Sequence, residues 1–248
     1  MDLLSKNKLA ELSKLSQKKY RRLEKKIVVE GLNCILQLWE NSISPLELYI
    51  LAGYSDPMPE ATIPKYTVTQ QDMTRICESS TPSGIAALFC IPTFIEPQFK
   101  KALYLDGISD PGNMGTIFRT ATAFGIDAIY LSRSCCETFS PKVVRSSLGS
   151  VFWLPHVELD DEDLLKNRSC LVALHQNGKI LLQNYQPGNN SNSIYVIGAE
   201  ATGIREQILN GCSQSIRLCM SRDMESLNAA VSAGVLCWWL FSQSKDCI

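Results

Sequence analysis

Three segments of the chain carry residues whose types and spacing could do chemistry. The first is Asn113-Met-Gly115-Thr-Ile-Phe-Arg119, directly behind the turn residues Asp110-Pro111-Gly112. A glycine-bearing turn that opens a helix lets backbone N–H groups and the positive helix end approach an anion, and an arginine further along that helix can fork onto a phosphate. A nucleotide backbone would satisfy both; an ordinary turn with Asn113 as N-cap and Arg119 in solvent would account for them equally. The second segment is Gly198-Ala199-Glu200-Ala-Thr-Gly203-Ile-Arg205, where an apolar run breaks into a turn of small residues. Gly198 and Gly203 permit close backbone approach, with Glu200 near a positive helix end as the plainer alternative. The third runs from Leu218-Cys-Met220 to Ser226-Leu227-Asn228 and Ser232. Ser226 is the expected N-cap of the last helix, and Asn228 and Ser232 fall four apart on one helical face. Polar groups buried there need partners, which a cofactor or substrate would supply; capping plus close helix packing explains the same residues.

The elements that must position these segments alternate. Strand ALYLDG precedes the first segment and helix TIFRTATAFG follows it; then come strand DAIYLS, helix PKVVRSSLG, strand VFWLPHV, helix DDEDLLKN and strand SCLVALH. After the turn-rich NYQPGNNSNS, strand IYVIG leads to the second segment, helix GIREQILNG and strand SIRLCM to the third, and an apolar helix ends the pattern. Strand and helix in repeated alternation predict an α/β fold with a mostly parallel sheet covered by helices. In such sheets the ligand crevice lies at the carboxyl ends of the strands, where the second segment sits. Upstream, Leu9, Leu12 and Leu15 fall on one face of a basic helix, and Val28 to Trp39 reads as a more buried helical stretch. Short strands LYILAG and GIAALFC with a helix TQQDMTRICESS between them predict a small α/β domain. The expected divisions are a basic helical arm at 1–20, a small domain at 21–92, a proline-bearing linker at 93–100 and a second domain at 101–248.

Composition narrows the class. The chain has 248 residues, 45% hydrophobic and 20% charged, enough to bury a sizeable core. No apolar run reaches the roughly 20 residues that cross a bilayer, and the N-terminus lacks the apolar block of a signal peptide; the expected compartment is the cytoplasm. Ten cysteines, among them Cys247, are scattered without a C-x-x-C pair, so neither zinc nor a disulfide framework is expected. The formal charge of −1 conceals nine Lys or Arg against three Asp or Glu in residues 1 to 26. That arm is read either as seeking an anion or as a solvated helix.

In this order and at these separations, the three segments resemble the three motifs of the SpoU/TrmH methyltransferases of the SPOUT superfamily, over roughly residues 100 to 243. The resemblance implies a C-terminal domain with a trefoil knot, S-adenosylmethionine as cofactor, and a homodimer formed through that domain. Val29-Glu30-Gly31 and Pro82-Ser83-Gly84-Ile85 look like parts of the small L30e-like substrate-binding domain that many members carry first. Carried over residue by residue, the pattern assigns Asn113, Arg119, Glu200, Ser226 and Asn228 to catalysis, and Leu174, Gly178, Gly198, Leu218, Met220 and Leu227 to the cofactor. Arg145, in a basic helix segment of the family, joins Lys18, Lys19, Arg21 and Arg22 of the arm as expected RNA contacts. Cys219 stands where the family commonly has proline.

The implied reaction is transfer of a methyl group to a ribose 2′-OH of structured RNA, tRNA or rRNA, with no DNA and no membrane involved. Placement of nucleophile and methyl would supply much of the rate, and Arg119 would clamp a phosphate and the charge developing on the hydroxyl oxygen. Three alternatives stay open. A Rossmann oxidoreductase would share the alternation but needs a G-x-G-x-x-G that no predicted strand precedes. A base methyltransferase of the same superfamily, and an inactive RNA-binding or ribosome assembly protein with the same fold, would share the architecture. His156 and His175 end apolar runs and are expected to satisfy local hydrogen bonds.

Overall fold

The computed structural model describes residues 2–77, 79, 81–95, 97–166, 168–188, 192–221 and 226–243. They form two compact units, Met1–Thr93 with Thr138–Trp153, and Phe94–Glu137 with Leu154–Ile248. The division departs from the expected one at Thr138–Trp153, which leaves the sequence of the second domain to pack in the first unit.

In the first unit the elements are β1 (Asp2–Leu3), α1 (Lys6–Lys14), α2 (Lys18–Glu24), β2 (Lys26–Glu30), α3 (Leu32–Glu40), β3 (Glu47–Leu51), β4 (Lys65–Val68), α4 (Gln70–Ile76) and β5 (Ile85–Cys90). The strands make one sheet in the order β1-β4-β3-β5-β2, with β5 antiparallel to both β2 and β3. Leu9, Leu12 and Leu15 pack with Met73 and Ile76 over Val28, Tyr49, Ala86 and Leu88 of one sheet face. Phe89, one residue out of step with Leu88, meets Phe152 edge to face, as the two-residue period of a strand requires. The stretch from Val28 to Trp39, expected to be helical throughout, begins as strand. Ile27, Val28 and Val29 are β-branched and bury both faces. Gly31, at φ +101°, then makes the turn into α3, a conformation that side chains disfavour.

The second unit holds β6 (Lys101–Asp106), α5 (Pro111–Ala123) and β7 (Ala128–Leu131). The chain then crosses to the first unit for α6 (Pro141–Ser146) and returns for β8 (His156–Glu158), α7 (Asp161–Lys166), β9 (Leu171–Leu174), β10 (Ile180–Leu181), β11 (Ser193–Gly198), α8 (Glu206–Gly211), β12 (Gln214–Arg217) and α9 (Ala229–Ser242). Its strands pair in parallel throughout in the order β10-β12-β9-β11-β6-β7-β8. Most are apolar along their length because both faces are covered. Tyr104, Tyr130, Ala173 and Val196 share one face with Leu164 of α7 and Ile208 of α8, while α9 packs on β11 and along α5. VFWLPHV, expected as a strand, is a 3₁₀ turn at Ser150–Phe152 and a strand only from His156. Pro155 has no N–H to give a ladder.

His156 is buried between the rings of Phe94 and Phe118, at 4.8 and 4.9 Å between centroids, and its Nδ1 donates to the Leu154 carbonyl at 3.0 Å. Burial holds it at about 4, below the ordinary 6.5. The unfolded chain therefore takes up this proton first, and the stability held above pH 6.5 is lost as pH falls toward 4. By linkage the loss is about 3 kcal/mol. Denaturant unfolding across that window should show it, and His156→Gln should flatten the dependence; an equal pH slope in the variant would assign the effect elsewhere.

Nine cysteines lie among the described residues, all free thiols. Burial raises Cys34, Cys77 and Cys237 to about 12, which makes them packing groups rather than nucleophiles. Cys247 lies outside the described residues. Among the described residues no helix is long and apolar enough to cross a membrane, and no group of three His, Cys, Asp or Glu could hold a metal ion.

Candidate active site

The strand order reverses between β11 and β6, and Gly198 pairs in register with Asp106 at their carboxyl ends. Such a switch point opens a crevice in a parallel sheet. The first segment leaves β6 there and the second leaves β11.

Asp110, not Asn113, caps α5, its carboxylate accepting from the Asn113 N–H at 2.8 Å with Pro111 in the first turn. Asn113 is thereby released from capping, and its amide joins the other two segments. Its Nδ2 donates to Glu200 Oε1, and its Oδ1 accepts from Asn228 Nδ2 at 3.1 Å. The last helix is capped by Asn228 rather than by Ser226. Asn228 Oδ1 accepts from the N–H groups of Ala230 and Val231 at 2.9 and 3.2 Å. One Asn228 side chain thus anchors α9 with its oxygen and the first segment with its nitrogen.

Beside this chain of amides lies a cleft of about 360 Å³. It is lined by Leu174 at the end of β9 and His175 and Gln176 after it, by Ile197 to Ile204, by Leu218 and Met220, and by Ser226, Leu227, Ala229 and Ser232. The bridge between Ala199 and Gly203, with Gly203 N–H donating to the Ala199 carbonyl at 2.9 Å, folds the second segment back on itself as one wall. Of the residues expected at a cofactor, Leu174, Gly198, Leu218, Met220 and Leu227 line the cleft. Gly178 is not among its described lining. A Cβ there would stand 2.3 Å from the Ile216 backbone, so this glycine serves close packing on β12, where its carbonyl accepts from Arg217.

Arg119 is exposed on α5, and its guanidinium makes no hydrogen bond or ion pair among the described residues. Arg205 is held from two sides. Its Nε reaches Asp106 at 2.7 Å and its two terminal nitrogens reach Asp161 at 2.7 and 2.8 Å, bonds that raise its pKa, those to Asp161 first. Sequence reasoning passed over Asp106 and Asp161; His175 does make the local hydrogen bond expected of it, its Nδ1 accepting from the Asn177 N–H at 3.2 Å. The signal for Asp106 was an acidic residue ending an apolar strand, where a buried carboxylate is tolerated only with a partner.

Four of the five expected RNA contacts are on the surface. Lys18, Lys19 and Arg22 are exposed on α2, and Arg145 is half exposed on α6, 3.5 Å from Glu30. Arg21 is a correction. It is buried, and its guanidinium donates to the carbonyls of Leu15 and Ser16 where α1 ends, at 2.9 and 2.5 Å. Those carbonyls have no helical partner of their own.

Comparison with known proteins bears on the fold and the family. The SpoU rRNA Methylase family matches residues 100–238, and the MRM3-like substrate binding domain matches residues 6–87. The 23S rRNA (guanosine(2553)-2'-O)-methyltransferase RlmP of Bacillus subtilis is 28% identical, covering 94% of this chain and 95% of its own. A solved structure of a putative RNA methyltransferase of the TrmH family from Porphyromonas gingivalis superposes with a TM-score of 0.82 at 29% identity, over 98% of this chain and 100% of that one. The SpoU methyltransferase AviRb from Streptomyces viridochromogenes, solved with AdoMet, shares the fold with a TM-score of 0.82 at 19% identity, over 96% and 98% of the two chains. These matches remove the dinucleotide oxidoreductase alternative, and the chain belongs to the SpoU rRNA methylase family.

Proposed function

We propose that this protein transfers the methyl group of S-adenosylmethionine to a ribose 2′-OH of structured ribosomal or transfer RNA, in the cytoplasm. The observation that carries the reading is the Glu200–Asn113–Asn228 chain, which joins three segments far apart in sequence at the edge of one cleft. The cleft suits the cofactor in size, within the roughly 300–1,000 Å³ of small-molecule sites. Leu174, Leu218, Met220 and Leu227 would hold a flat heterocycle, and the folded-back backbone of Gly198 to Gly203 would read its polar groups. When bound, the sulfonium supplies an activated methyl. Asn113 is held by Glu200 and Asn228 in one orientation, so its amide is preorganised and costs no reorganisation at the moment of reaction. Arg119, without an internal partner among the described residues, is available to clamp a phosphate.

The first unit would hold the RNA. Its match to a substrate binding domain and the exposed Lys18, Lys19 and Arg22 support that role. An L30e-like fold for 21–92 and a knotted path for the C-terminal part belong to the same proposal. So does a homodimer through α9, on which Val231, Val235 and Trp238 form an exposed apolar stripe at 52%, 38% and 56% accessibility. Spacings of four and three put them on one helix face. Trp238→Glu should turn a dimer into a monomer by light scattering; an unchanged mass would move the interface elsewhere.

The direct test incubates the protein with labelled S-adenosylmethionine and RNA free of its own modifications, then digests with alkali. Label in an alkali-resistant dinucleotide supports ribose methylation and names the nucleotide. Label on a base would replace this reading with the base-modifying one. Cofactor and RNA binding without any transfer would favour an RNA-binding protein that keeps the fold.

A further inference from the structure

The Asp106 side chain is 1% exposed. A buried carboxylate persists only if its oxygens are taken up by donors. Here one residue supplies both. The Arg205 N–H donates to Oδ2 at 2.8 Å and Arg205 Nε to Oδ1 at 2.7 Å. The backbone oxygen of Asp106 meanwhile accepts from the Ala199 N–H at 3.0 Å. The segment from Ala199 to Arg205 is therefore tied at both ends to a single residue, and between the ties lie Glu200 and the folded-back wall of the cleft. Asp106 also ends β6, and the chain passes from it through Gly107, at φ +77°, to Asp110 and Asn113. It is the point from which the loop of Asn113 and the loop of Glu200 diverge.

We infer that Asp106 and Arg205 are a positioning pair for the methyl-transfer centre, setting the Glu200 loop against Asn113 and thereby the wall of the cofactor cleft. This rests on the reading of the cleft given above. Asp161, at the start of α7, takes the outer edge of the guanidinium through both its oxygens, and Tyr104 Oη stands 3.3 Å from one terminal nitrogen. That fork fixes the guanidinium plane, so that Nε points at the buried carboxylate. A lysine could satisfy one carboxylate as a point charge but has no planar fork to span two. Were the contact only a stabilising ion pair, its outer half would contribute little, since the Arg205 side chain is 44% exposed.

The test compares Arg205→Ala, which leaves Oδ1 of the buried Asp106 without its donor and so lowers the melting temperature, with Arg205→Lys and Asp161→Asn, which keep a cation or the Arg205 pair in place. With nothing bound, hydrogen exchange of the amides from Ala199 to Ile204 should accelerate about tenfold or more in Arg205→Ala. Single-turnover methyl transfer, at saturating S-adenosylmethionine and RNA, should fall about 100-fold, the scale of a misplaced reacting group. Added guanidinium ion should restore part of both. Lysine should fall between alanine and the native residue, and Asp161→Asn should shift the same readouts less. The inference is overturned if exchange is unchanged, or if a rate loss follows only the melting temperature and guanidinium restores nothing. If the native protein transfers no methyl group at all, the functional reading fails, and the exchange measurement still decides the pair.

Discussion

Replacing Arg119 with alanine is expected to lower the single-turnover rate of methyl transfer by about 10²–10³-fold, while S-adenosylmethionine affinity stays within about twofold. The size follows from where the guanidinium stands. It lies on α5 about one and two-thirds turns beyond Asn113, exposed, with no hydrogen bond or ion pair among the described residues. Removing it should leave no polar group of the fold unpaired and should barely move the melting temperature. A side chain with five donors and no acceptor is suited to a phosphate and to a developing alkoxide, both absent until RNA is bound. The two effects should therefore separate cleanly: rate lost, fold and cofactor kept. Equal losses of rate and cofactor affinity, read by single-turnover labelling and calorimetry, would instead assign Arg119 to the cofactor.

The opposite signature is expected of Gly198→Ala. A Cβ at this position would stand 2.2 Å from the Gly203 carbonyl carbon, 2.3 Å from the Ile204 nitrogen and 2.4 Å from the Gly203 oxygen. All three are backbone atoms, held in place by the Ala199–Gly203 bridge, so no rotamer change relieves the clash. The loop must open, at a cost of about 1–3 kcal/mol in stability. With its wall displaced, the cleft should lose about 100-fold or more in S-adenosylmethionine affinity, measured by calorimetry alongside thermal unfolding. Native affinity in the folded variant would mean that this wall does not bind the cofactor.

The first two chemical segments were legible from residue type and spacing because each couples a strand end to a turn that carries glycine, and the third because polar residues interrupt the small, apolar start of the last helix. What was misassigned follows from competition between neighbours for one role. Asn113 and Ser226 both suit an N-cap, yet Asp110 and Asn228 cap the helices. A cap needs its side chain to reach N–H groups two or three residues on, and spacing alone does not show at which polar residue a helix starts. Arg21 shared the charge of its neighbours and was grouped with them as an RNA contact. Its burial depends on how α2 turns back after α1, which local pattern does not contain. Asp106 and Arg205 lie ninety-nine positions apart, and neither carries a local mark of the other.

By itself the sequence determined the alternation of strand and helix, the parallel sheet and the three segments that mark the family, because these depend on periodicity and on short-range steric needs. Only the tertiary structure decided which amide each of the clustered polar groups would meet. It also decided that Thr138–Trp153 packs with the first unit, and that Asp106 holds one end of the cleft wall with its backbone oxygen and the other with its buried carboxylate. These choices arise from strand order and register, which bring distant residues within hydrogen-bond reach and leave no trace in the spacing of either partner.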